Sequence, residues 1–109
     1  MTETDIQNAI RLELSKYGAC FRMNTGVFKQ GERTIKCGVK GMSDLLFIRD
    51  GRAYWLEVKT ETGKASQEQL NFLAVMRDRY GCVTGIVRSV EEAVELCQSE
   101  KNYMKSKTN

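Results

Sequence analysis

Residues 41–59 read GMSDLLFIRDGRAYWLEVK, two apolar runs separated by Asp50-Gly51. An Asp-Gly pair between such runs predicts a β-hairpin with a two-residue type I′ turn, because both residues tolerate positive φ. Arg49 then sits opposite Arg52. Each step away from the loop pairs one residue back with one forward, and this brings Asp44 opposite Glu57 on one face, with Cβ atoms about 4.5 to 5.5 Å apart. Lys59, two residues past Glu57, points to the same face. Two like charges placed opposite each other among Leu, Trp and Val neighbours destabilise a sheet, so a cation is expected between them. Mg²⁺ takes one or two carboxylates plus water, and the Val58 backbone carbonyl supplies a further oxygen. The competing structural reading has Asp44 opening a strand at a turn and Glu57 paired with Lys59 or an arginine on an exposed face.

Working outward, residues 4–17 read as a helix, with Ile6, Ala9, Ile10 and Tyr17 at helical spacing, Thr2 or Thr4 as cap and Gly18 as stop. A strand is expected near Ala19–Met23. Asn24 to Gly41, with four glycines, reads as a long loop or an irregular hairpin. After the hairpin, Lys64–Tyr80 is predicted helical with a Ser66/Gln69 capping box and Gly81 as stop. Cys82–Arg88 reads as a strand, Ser89 and Glu92 open a short helix to about Cys97, and the polar tail at 99–109 follows a domain spanning 1–98. The order αβββαβα predicts a single α/β domain with a mixed central β-sheet flanked by helices.

The 109 residues suffice for one hydrophobic core. No apolar run reaches the roughly 18 residues of a membrane span, and the polar N-terminus carries no signal-peptide pattern. This predicts a cytoplasmic protein, or one in the host cytoplasm if phage-encoded. Four widely spaced cysteines read as reduced thiols, and the absence of histidine removes Ser-His and Cys-His catalysis. Net charge is only +3, yet between Lys16 and Lys40 six bases are opposed by Glu32 alone. Arg22, Lys29, Arg33, Lys36 and Lys40, with Asn24 among them, are candidate contacts to a nucleic-acid backbone.

TETDIQ at 2–7, RMNTG at 22–26, GVKGMSDLLFI, WLEVKTETGKASQEQ and GCVTGIVRSVEEA together resemble the virus-type replication-repair nuclease (VRR-NUC) domain of the PD-(D/E)xK nuclease superfamily. Ser43 stands where many superfamily members have proline. The resemblance runs from about residue 2 to 96 and implies a restriction-endonuclease-like core. It also implies a Mg²⁺-dependent endodeoxyribonuclease, with Mn²⁺ substituting and no organic cofactor. Asp44 and Glu57 become metal ligands and Lys59 the catalytic lysine. Glu3 approaches the metal directly or through water, and Gln69 lines the centre. Stand-alone relatives imply a homodimer acting on branched DNA such as four-way (Holliday) junctions. The competing expectations are a non-catalytic DNA-binding accessory module and a nuclease acting on linear or flap DNA.

Overall fold

The computed structural model describes residues 1–23, 26–37 and 39–98, with backbone alone at 26–29 and 34–37. Along the chain run α1 (Glu3–Leu14), β1 (Ala19–Arg22), β2 (Gly26–Gln30), β3 (Arg33–Cys37), β4 (Leu45–Arg49), β5 (Arg52–Val58), α2 (Gln67–Tyr80) and β6 (Val83–Val87). A third helix, α3, occupies residues 90–98. Four strands form a mixed sheet in the order β1-β4-β5-β6, antiparallel except for the β5–β6 pair. The parallel pair follows from chain direction, since α2 carries the chain back across the sheet before β6 begins.

Strand alternation divides the sheet into two faces. Leu45 and Phe47 of β4, Tyr54, Leu56 and Val58 of β5, and Val83 and Val87 of β6 form one core with Ile6, Ile10 and Leu14 of α1 and Ala93 and Cys97 of α3. The opposite face carries Trp55, whose ring meets Phe72 of α2 edge-on at 5.0 Å between centroids. Glu57 alternates onto this second face. Two helices therefore cover one side and α2 covers part of the other, leaving Phe21 and Ile48 exposed.

The chain departs from expectation at two places and decides between two open alternatives at a third. α1 ends at Leu14 rather than near Tyr17, because the backbone must turn at Gly18 to pass β4: a Cβ there would overlap the Ile48 carbonyl. Tyr17 instead lies outside the helix, half-exposed beneath the Arg49 guanidinium. α2 starts at Gln67, not Lys64, since Ser66 is extended and its hydroxyl accepts the Gln69 N–H as N-cap. Residues 26–37, read as a loop or irregular hairpin, form a separate two-stranded sheet turning at Gly31, φ 65°. The tail at 99–109 lies outside the described residues.

Candidate active site

The Asp-Gly turn has the expected form, with φ of 51° at Asp50 and 73° at Gly51. It sets the expected register: Arg49 pairs with Arg52, Phe47 with Tyr54 and Leu45 with Leu56. Hydrogen-bonded pairs alternate with non-bonded ones in an antiparallel ladder, so the pair next to the turn, 49–52, fixes 47–54 and 45–56 as bonded. Asp44 and Glu57 are the next, non-bonded position, and 43–58 would be the next bonded one. The ladder stops there. Asp44 lies one residue ahead of β4, its carbonyl accepts the Met23 N–H at 2.9 Å, and its Oδ2 accepts the Val58 N–H at 2.8 Å. The Asp44 side chain thus takes the strand-end amide that Ser43 would otherwise have taken.

Glu57 is fully buried, and among the described residues neither carboxylate oxygen has a hydrogen-bond donor. An exposed Glu57 paired on the surface is therefore ruled out. Its pKa is pushed up to about 9, first by desolvation, then by a hydrogen bond with the Asp44 carboxyl and by the charge of Asp44; Lys59 opposes this and Glu3 adds to it. The Asp44 bond and the lack of a donor are compatible: two ionised carboxylates offer acceptors only, and a bond between them forms once one of them is protonated. The pair is therefore stable with a shared proton, or with a cation in the proton's place.

The groups that could hold a cation here are hard oxygens: the Asp44 carboxylate, both Glu57 oxygens and the Val58 carbonyl. That carbonyl points to the same edge as the Val58 N–H, because one residue's N–H and C=O leave a strand together. Oxygen donors with two carboxylates suit Mg²⁺ or Mn²⁺. Among the described residues, no three His, Cys, Asp or Glu side chains gather into a metal-holding group. Glu3, at the first turn of α1, acts on Glu57 through its charge but does not complete a three-carboxylate cluster.

The remaining candidates divide. Lys59 is half-buried, on the Glu57 side of β5. Gln69 is committed to the α2 cap, its Oε1 accepting the Ser66 N–H at 2.8 Å. Arg22 is exposed at the end of β1 nearest Asp44, and Arg33 is exposed where β3 begins. Lys40 is exposed and pairs with Glu68 at 3.5 Å. Lys29 and Lys36 lie on β2 and β3, and Asn24 lies outside the described residues. One further buried group has no role assigned from the sequence: Ser43, whose Oγ is enclosed beside Asp44 with no partner among the described residues. Its position before the aspartate was the only signal available.

The fold and site together define an α/β domain that holds a face-to-face carboxylate pair and a lysine where a hairpin meets a parallel strand. No family model matches the sequence, and no curated protein sequence matches it significantly. Among solved structures, one described as a VRR_NUC domain superposes with a TM-score of 0.64, covering 90% of this chain and 97% of its own at 22% identity. The chain has the VRR-NUC, restriction-endonuclease-like fold.

Proposed function

We propose that this chain is a metal-dependent, structure-specific endonuclease that hydrolyses phosphodiester bonds in branched DNA such as four-way junctions. The observation that carries the reading is Glu57: a fully buried carboxylate with no donor on either oxygen among the described residues, opposite Asp44 and beside Lys59. A purely structural strand gains nothing from this arrangement. The VRR-NUC fold supports a nuclease-type domain with DNA as substrate.

In this reading Asp44, Glu57 and the Val58 carbonyl hold one divalent cation, Mg²⁺ or Mn²⁺. Bound there, the cation supplies Lewis-acid stabilisation of phosphate charge and a more acidic water. Lys59 extends from the same strand face as Glu57 and donates hydrogen bonds to a phosphate oxygen or to the attacking water. Val58, buried on the opposite face, fixes the strand between those two side chains. Glu3 adds negative charge at the rim, and Gln69 acts through the start of α2. Arg22, Lys29, Arg33, Lys36 and Lys40 contact phosphates, giving affinity that depends on shape and salt more than on base sequence.

A homodimer is part of the proposal. Symmetric cutting of two strands requires two sites related by a two-fold axis. The deciding experiment is cleavage of four-way, flap, splayed and linear DNA with Mg²⁺ or Mn²⁺, using Asp44→Asn as control. Junction cutting that the variant loses supports the proposal. Binding without cutting favours an accessory module, and equal cutting of linear DNA removes the structure specificity.

A further inference from the structure

β5 and β6 run parallel with Val58 paired to Val87, so Lys59 and Arg88 are the next residues on adjacent strands. The backbones are still joined there, the Lys59 N–H donating to the Val87 carbonyl at 3.1 Å. Val58 and Val87 both face the α1 and α3 core, so Lys59 and Arg88 both alternate toward the α2 side. Two neighbouring cations repel, and an arginine at this position needs a reason.

That reason lies in the turn after Lys59. Arg88 Nη1 donates to the carbonyls of Thr60 and Gly63, each at 2.6 Å, and reaches the Glu61 carbonyl at 3.4 Å. The turn closes on itself through the Gly63 N–H, which meets the Thr60 carbonyl and Oγ1 at 3.2 Å each. Gly63 lies against the lysine: a Cβ built on it would come within 3.6 Å of Lys59 Cβ. The Arg88 backbone is also held, its main-chain N–H donating to Glu92 Oε2 at 3.3 Å.

We propose that Arg88 is a positioning residue for Lys59: its guanidinium clamps the 60–63 turn so that Gly63 backs the lysine stem and directs the ammonium toward Glu57. The inference rests on the nuclease reading. Arg88 touches neither carboxylate and acts through backbone carbonyls alone. All three carbonyls are met by a single nitrogen, Nη1, at the end of a long, permanently charged side chain. Misplacing a reacting group by about 1 Å costs on the order of 100-fold in rate.

The test is single-turnover cleavage with Mg²⁺ on the DNA that wild type cuts best, together with DNA affinity and thermal melting. Arg88→Ala is expected to slow cleavage about 10- to 100-fold while DNA affinity stays within about 2-fold. Arg88→Lys is expected to recover part of the loss. In a Lys59→Ala background, adding Arg88→Ala is expected to slow the reaction by less than about 2-fold, because a residue acting through Lys59 has nothing left to position. The inference is overturned by a full multiplicative loss in that background, by affinity falling as far as the rate, or by an unaffected Arg88→Ala. If Arg88→Ala melts below the assay temperature, Arg88→Lys carries the same cycle. An active wild type with any of those results removes this inference alone; a wild type that cuts no DNA removes the nuclease reading and the inference with it.

Discussion

Asp44 Oδ2 accepts the Val58 N–H at 2.8 Å, so one carboxylate ends the β4–β5 ladder and, in the proposed function, also holds the cation. The two duties separate by substitution. Asp44→Asn keeps a carbonyl oxygen for the Val58 N–H but loses the charge, so the melting temperature is expected to change little while cleavage falls by more than about 100-fold, beyond the usual loss for an outer-shell partner of a metal. Asp44→Ala also leaves a buried N–H without an acceptor, at about 1–3 kcal/mol, and is expected to melt several degrees lower. Equal melting of the two variants would show that the Val58 bond contributes nothing.

Glu57 makes metal-free stability depend on pH in a direction opposite to that of most carboxylates. Its folded pKa, about 9, lies above the ordinary value of 4.5, so the folded state keeps a proton that the unfolded chain releases between those limits. Stability from this group is whole below about pH 4.5 and declines as pH rises toward 9. Glu57→Gln, neutral at every pH, is expected to exceed wild type at pH 8 without metal, by about 1–3 kcal/mol, with the gap closing toward pH 5. Millimolar Mg²⁺ is expected to raise the wild-type melting temperature and leave that of Glu57→Gln nearly unchanged. Calorimetry at pH 5 and 8, with and without Mg²⁺, decides it; a variant less stable than wild type at pH 8 would mean that the Glu57 charge is already compensated.

The part of this site legible in the sequence is the part set by a local rule. Asp50-Gly51 fixes the turn, the turn fixes the register, and the register brings Asp44 and Glu57 together with no long-range information. What stayed hidden depends on where strands stop. Nothing in the sequence shows the ladder ending at Leu45, so the Asp44 bond to Val58 could not be read. Arg88 was hidden for a related reason: its nearness to Lys59 requires the parallel β5–β6 alignment, which forms only after α2 has crossed the sheet. At Gln69 the capping signal and the family resemblance pointed to different roles, and the side chain is bonded as a cap. The 26–37 ribbon lacks clear alternation in sequence, and it forms its own two-stranded sheet outside the four-stranded one.

Lys40 and Lys36 test the proposed path of DNA. Each phosphate contact removed lowers the slope of log affinity against log salt by about 0.9, so neutralising both lysines is expected to reduce the slope by nearly 2 and to weaken junction binding. Lys40 is partly neutralised by Glu68 at 3.5 Å, and an exposed pair of this kind holds weakly. Glu68→Gln is therefore expected to tighten binding at low salt, the opposite sign. Affinity titrations across a salt series give both answers, and an unchanged slope in the double variant would place the DNA elsewhere.

Gly41 and Gly51 both have positive φ, 81° and 73°, but only one has a neighbour in the way. A Cβ at Gly51 would meet nothing within 4 Å, whereas at Gly41 it would overlap the Glu68 carbonyl in the first turn of α2. Gly51→Ala carries only the left-handed backbone penalty, about 1–2 kcal/mol. Gly41→Ala adds a clash with backbone that cannot rotate away, so either α2 or the 39–43 segment must move. That segment leads directly into Asp44, and its Met42 N–H closes a turn on the Val39 carbonyl at 3.0 Å. Gly41→Ala is thus expected to melt lower than Gly51→Ala and, at temperatures where both are folded, to cut DNA more slowly. Cleavage rates matched to wild type in folded Gly41→Ala would show that the approach of this loop to α2 does not set the position of Asp44.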